Sequence, residues 1–280
     1  MRNLLVALKD RGEAVRLAAA SAALAGPGAR ATAVHVVEVG SRREFAEAGI
    51  AVAETVDLLG ARGVTARGLM EALGEGGVAG RLAQRARTSG ADGVVMGSRG
   101  LGDFRALVAG SVSHALLAGV DLPVLVLPVR AAVRDNDLRR VLVAVGTEDD
   151  AVAAAAAVRL LRSPSTEVLA VHVPRRVAVH AGEAVAGLFV EIGETSTAVL
   201  AAALERFKRA GMRIAKTTVD RTGGVAAAIC DTARDWDADL IVLGSRRPGA
   251  WEALAAGSTA HGVLHRSDRP VLIAGRAWRR

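Results

Sequence analysis

The chain has 280 residues, enough for one large or two ordinary domains with buried cores. It is 51% hydrophobic but only 2% aromatic, with no Tyr, so it lacks the stacking platforms that single-stranded nucleic acid requires. The net charge of +7 comes from arginines scattered singly or in pairs, with Lys9, Lys208 and Lys216 the only lysines; no basic tract marks a nucleic-acid partner.

Leu4 to Leu8 reads as a first strand, and Glu13 to Leu24 as an Ala-rich helix stopped by Gly26-Pro27-Gly28. A second strand covers Ala31 to Val37, and helical spacing runs from Phe45 to Leu59. A third strand spans Val64 to Leu69, and Gly76-Gly77 opens a helix to about Ser89. Gly93-Val94-Val95-Met96 is a fourth, buried strand leading to Gly97. A helix from Ser111 to near Asp121 and a fifth strand within Pro123 to Pro128 complete the unit. Strand and helix in alternation predict an α/β fold, a parallel sheet covered by helices on both faces.

The unit then recurs. Val141-Leu142-Val143-Ala144-Val145 repeats the first strand, and Val171-His172-Val173 repeats Val34-His35-Val36, both at an offset of 137. Later landmarks share an offset of 147: Gly76-Gly77-Val78 with Gly223-Gly224-Val225, Gly97 with Gly244, Gly110-Ser111 with Gly257-Ser258, His114 with His261, and Pro123 with Pro270. The second copy therefore carries ten extra residues between Val173 and Gly223. A repeat this long is a duplicated domain rather than a solenoid unit. The reading is two domains, 1–130 and 138–280, joined by the polar segment ending in Arg134-Asp135-Asn136-Asp137.

The chemistry-bearing stretch is Gly97-Ser98-Arg99-Gly100, nine residues, then Gly110-Ser111. Glycines at a strand mouth let backbone approach a ligand, and a Gly-Ser pair opening a helix offers free N–H groups and the positive end of the dipole. That combination describes a phosphate cradle. Taken alone, such a loop is equally well a plain turn of small residues.

The spacing Gly, two residues, Gly, nine residues, Gly-Ser after a fourth strand resembles the nucleotide-binding signature of the universal stress protein family. So do the Leu-Leu-Val-Ala-Leu, Val-His-Val and Pro-Val-Leu-Val strands, and the resemblance covers nearly the whole chain twice. It implies two tandem domains, each a five-stranded parallel sheet with helices on both faces. It also implies ATP, or ADP or AMP, at the carboxyl ends of the strands, with Mg²⁺ as an admissible companion. Carried over, Met96, Gly97 and Gly100 line ribose and phosphates, while Gly110, Ser111 and Val112 donate backbone N–H groups and a hydroxyl. Val36 meets the adenine through its backbone, and Ala7 floors the pocket. Family members that bind ATP carry an Asp where this chain has Lys9 (Gly146 in the second copy). Lys9 cannot accept a ribose hydroxyl proton; it places a cation near the phosphates, or Asp10 substitutes for the missing acceptor. The second loop reads Gly244-Ser245-Arg246-Arg247, with Pro248 next, and is degenerate; Trp251 lies within it. Tandem members pair their domains through the final strands, here Val124 to Leu127 and Val271 to Ala274.

Other candidates are weaker. Gly74-Glu75-Gly76-Gly77-Val78-Ala79 matches a dinucleotide fingerprint but follows the third strand, and reads better as a helix start. His261 and His265 share a helix face at the spacing of a metal pair, but no third ligand is evident, so surface or capping roles are preferred and no metal site is assigned. His35 and His172 read as hydrogen-bonded core histidines. Cys230, alone in a helical pattern, reads as a buried thiol and excludes an intrachain disulfide. No uncharged run approaches the ~18 residues of a membrane span, and the amino terminus reads as a strand rather than a signal. The expectation is a cytoplasmic stress-response protein, not an enzyme, acting through nucleotide, an unidentified protein partner and self-association by final strands or domain faces. The alternatives are a non-nucleotide interaction module and, third, a slow ATP hydrolase.

Overall fold

The computed structural model describes residues 1–38, 42–98, 112–131, 133–134, 138–161, 166–178, 189–192, 195–209, 211–219, 223–244 and 259–274. The first half runs β1 (Asn3–Leu8), α1 (Ala14–Leu24), β2 (Arg30–Val37), α2 (Arg42–Gly60), β3 (Thr65–Ala72), α3 (Gly77–Thr88), β4 (Gly93–Gly97), α4 (Val112–Gly119) and β5 (Val124–Leu127). The second runs β6 (Arg140–Ala144), α5 (Glu148–Leu161), β7 (Glu167–His172), β8 (Arg175–Ala178), β9 (Phe189–Ile192), α6 (Ser196–Arg209), β10 (Arg213–Thr218), α7 (Val225–Asp235), β11 (Leu240–Leu243), α8 (Thr259–Arg266) and β12 (Val271–Ile273). The strands β8 and β9 pair antiparallel as a separate hairpin within the stretch where the repeat offset changes.

All ten remaining strands form one sheet in the order β10-β7-β6-β11-β12-β5-β4-β1-β2-β3. Each half is parallel throughout, and the two join where β12 pairs antiparallel with β5, Leu272 opposite Leu125. Central strands buried on both faces explain the unbroken apolar runs that mark β1, β4, β6 and β11 in the sequence. Side chains of β1 alternate: Leu4, Val6 and Leu8 meet Leu17 and Leu59 of α1 and α2, while Leu5 and Ala7 meet Leu82 and Leu116 of α3 and α4. The same division holds in the second half, where α5 and α6 cover the first face and α7 and α8 the other. Both core layers cross the seam, and α1 packs on α5 through Ala-rich surfaces.

A repeated clamp sets the start of each half. Asp92 accepts from the Arg2 and Asn3 N–H groups at 2.7 and 3.1 Å, tying β1 to the turn before β4. Asp239 accepts from Arg139 and Arg140 N–H, both at 2.9 Å, and holds β6 in the same way. Arg134 of the linker reaches Asp237 (2.6 Å) and Asp239 (3.0 Å), which anchors the connection to the second half.

Two expectations change. The third strand extends to Ala72 rather than Leu69, because β3 follows β2 in register as far as Val37 opposite Ala72. Both final strands are interior, with a neighbour on each side, so a second chain finds no edge there. Pairing of the final strands is thus satisfied inside one chain, and the strands at the edges of the sheet are β10 and β3.

Candidate functional site

The carboxyl edge of the first half is assembled from β1, β2 and β4. Ala7 lies opposite Met96 on one side and Val34 on the other, and both Ala7 and Met96 are buried. Gly97 closes β4 opposite Leu127, whose carbonyl accepts from the Ser98 N–H at 2.8 Å. Val36 is half-buried near the end of β2, on the same core face as Ala7 and Met96. Lys9 stands exposed immediately after β1, and Val112 is 37% exposed at the first position of α4. The structure thus gathers Ala7, Lys9, Met96 and Gly97 at one strand mouth. Gly100, Gly110 and Ser111 lie outside the described residues, as do Arg247 and Trp251 of the second loop.

A residue not singled out in the sequence dominates this mouth. Glu13 is only 4% exposed; its Oε2 accepts from the Lys9 N–H at 3.2 Å. Its carboxylate lies against Gly97, where an added Cβ would come within 2.3 Å of Oε1. The second half repeats the arrangement: Asp150, also 4% exposed, accepts from the Gly146 N–H at 3.1 Å and packs against Gly244. Glu13 and Asp150 are related by the 137-residue offset, as are Lys9 and Gly146. An acidic residue at the same repeat position in both copies was the available signal. The first glycine of the signature is therefore a packing glycine in each half, which accounts for Gly244 surviving in a loop that has lost its second glycine.

The histidines divide. His172 is buried, with Nδ1 2.8 Å from the Val145 carbonyl oxygen, as expected for a bonded core histidine. His35, its repeat partner, differs: its Nδ1 is buried with no hydrogen-bond partner among the described residues. The physical difference is that only the second copy turns its ring onto the preceding strand's carbonyl. Burial holds the His35 imidazole below its ordinary value, with Asp10 pulling the other way. The unfolded chain takes up this proton near pH 6.5, whereas the native state does so only at lower pH. Stability from this group is therefore complete above about pH 6.5 and falls as pH drops toward the lowered native value. We expect His35→Gln to flatten the stability-against-pH curve on this acid side in urea melts; an unchanged slope would contradict the assignment.

Gly76 (φ +83°) and Gly77 (φ +67°) form the start of α3, so the fingerprint-like stretch is helix-entry chemistry. Cys230 is buried, and burial pushes its thiol up to about 11, far from a reactive thiolate. Among the described residues no helix is long and apolar enough to cross a membrane.

The family model described as the universal stress protein family matches residues 1–128 and 137–275. Among solved structures, a universal stress protein from Archaeoglobus fulgidus DSM 4304 is 21% identical, with a TM-score of 0.70 over 98% of this chain and 96% of that one. A putative universal stress protein from Pseudomonas aeruginosa UCBPP-PA14 is 13% identical, with a TM-score of 0.56 over 99% and 95%. Another Archaeoglobus fulgidus family member, solved in complex with dAMP, is 20% identical over 45% of this chain and 97% of its own, with a TM-score of 0.36. No curated protein sequence matches the chain. With two copies of one α/β unit, each bearing the strand-mouth glycine and each matched by the family model, the chain belongs to the universal stress protein family.

Proposed function

We propose that this universal stress protein binds an adenine nucleotide, ATP or its di- or monophosphate, in the first domain, and acts by conformation or partner binding rather than turnover in the cytoplasm. The observation that supports the reading most is the juxtaposition of Ala7, Met96 and Gly97 at the carboxyl edge, leading straight into the full signature spacing. Side chains there are short on β1 and absent at the end of β4, and the exposed ammonium of Lys9 supplies the sign that phosphates attract. Lys9 thus serves the phosphates, with or without Mg²⁺, rather than the ribose.

One observation favours the second reading, an interaction module without nucleotide: the Glu13 carboxylate already stands beside Gly97, where a phosphate would meet like charge. The two readings part in one experiment. Gently purified protein is expected to carry adenine nucleotide by mass spectrometry and to gain thermal stability in millimolar ATP, with Gly110→Glu losing both. Wild type that carries none and shows no shift would leave only the interaction module. Phosphate release no faster than that of Gly110→Glu is expected of a non-enzyme. Gly97→Glu is unsuitable as the control, because its side chain would collide with Glu13 whether or not nucleotide binds.

A further inference from the structure

We propose that His261 and His265 form a bidentate site for a divalent transition-metal ion, Cu(II) above all, on the outer stripe of α8 in the second domain. The two residues lie four apart on one helix, a spacing that stacks side chains on the same face. Their Nε2 atoms approach to 2.9 Å, and the rings sit 4.2 Å apart at a tilt of 54°. Two neutral imidazoles whose coordinating nitrogens converge so closely are arranged to share one cation.

The spacing carries information about which cation. With metal–nitrogen bonds of about 2.0–2.1 Å, nitrogens 2.9 Å apart subtend an angle of about 90° at the metal. A tetrahedral ion would need the nitrogens roughly 3.3 Å apart at the same bond length. Cis ligands near a right angle suit square-planar or tetragonal Cu(II), the ion that also heads the affinity order for such donors. For both neutral rings to coordinate through Nε2, the ring that holds its hydrogen between the two Nε2 atoms changes tautomer, that proton passing through solvent to its own Nδ1.

The helix presents the pair rather than burying it. Val263 and Leu264 are buried on the inner side, and the Gly262 backbone lies close against Ala226 of α7, which fixes the rotation of α8 and leaves both histidines half-exposed. Among the described residues no group of three or more His, Cys, Asp or Glu side chains is placed to hold a metal, so water completes the coordination shell. The repeat supplies an internal comparison: His114 matches His261, but Ala118 stands where the first domain would need the second ligand. The pair is thus a property of one domain, not of the shared fold.

The test uses the full-length chain without a histidine tag, titrated with Cu(II) and followed by calorimetry and electron paramagnetic resonance. Wild type is expected to bind one equivalent with micromolar affinity and a two-nitrogen superhyperfine pattern. His261→Ala and His265→Ala should each weaken binding at least about tenfold and reduce the pattern to one nitrogen, with metal-free melting temperatures unchanged. His261→Gln and His265→Gln repeat the test should an alanine variant lose stability. Binding to wild type that is not saturable at one equivalent, or that persists at full affinity in the double variant, would overturn the proposal, as would a preference for Zn(II) over Cu(II).

Discussion

Gly97→Ala is expected to destabilise the nucleotide-free protein by about 2–3 kcal/mol, and Glu13→Ala to abolish that effect. The methyl would stand where the Glu13 carboxylate lies, forcing it off Gly97 and away from the Lys9 N–H. Displacing a buried carboxylate from its donor costs on that scale. Glu13→Ala has its own cost, since the Lys9 N–H loses its acceptor, but in that background the alanine at 97 finds room. The double variant should therefore melt with Glu13→Ala rather than below it, giving a coupling energy of about 1–3 kcal/mol. Gly244→Ala behaves differently. Its methyl would lie 2.4 Å from the Asp150 Cβ and 2.6 Å from its Cα, atoms that Asp150→Ala retains. Here backbone must shift, the loss should exceed about 3 kcal/mol, and Asp150→Ala should give no rescue. Urea melts of the four single and two double variants decide the matter. If Gly97 served a ligand alone, Gly97→Ala would leave the stability of nucleotide-free protein unchanged.

The second large effect is at the seam. Leu125 and Leu272 face each other across the antiparallel join, 1% and 0% exposed. Their core layer contains Leu4 and Val95 from the first domain and Val141 and Leu240 from the second. Leu125→Ala should cost about 3 kcal/mol, the usual range for a buried leucine left as a cavity. Leu125→Asp should cost more than about 4 kcal/mol, since no donor in the strand pair is free to meet the carboxylate. Because the core is shared, these losses should register in both domains. The chain offers a reporter: Trp236, Trp251 and Trp278 all lie in the second half. Tryptophan fluorescence is therefore expected to shift its midpoint with a substitution made only in the first domain, coincident with the far-ultraviolet dichroism transition. A fluorescence midpoint that ignores Leu125→Ala would mean that the domains unfold separately.

The seam joins the two final strands that the family resemblance pairs, with its antiparallel register supplied by the structure. The contacts around Glu13 and the histidines are ones that sequence reading did not reach, and the reasons are specific. Glu13 sits in an Ala-rich helical pattern where an acidic residue reads as a solvated first turn. Its burial depends on β4 ending in a residue without a Cβ, more than eighty positions away. His35 and His172 are identical in local context, Val-His-Val in both copies, yet one ring nitrogen meets a carbonyl and the other is left without a described partner. The pairing of His261 with His265 was visible as a spacing, whereas the 2.9 Å approach that makes it a ligand pair was not.

The sequence by itself determined the element types, their alternation, the duplication and the place of the insertion. Periodicity, glycine and proline punctuation and repeat offsets are local or self-referential signals, and buried parallel strands announce themselves by unbroken apolar runs. The family resemblance, rather than periodicity or spacing, marked Ala7, Lys9, Met96 and Gly97 as site residues, and the structure sets them at the carboxyl ends of the neighbouring parallel strands β1 and β4. Tertiary structure alone decided the rest. The antiparallel join of β5 and β12 sends the carboxyl edges of the two halves in opposite directions, so their strand mouths open on opposite edges of one ten-stranded sheet. It also decided that the space beside Gly97 and Gly244 is held by Glu13 and Asp150. Which side chain fills a gap is set by packing between residues distant in the chain, and no periodicity encodes that.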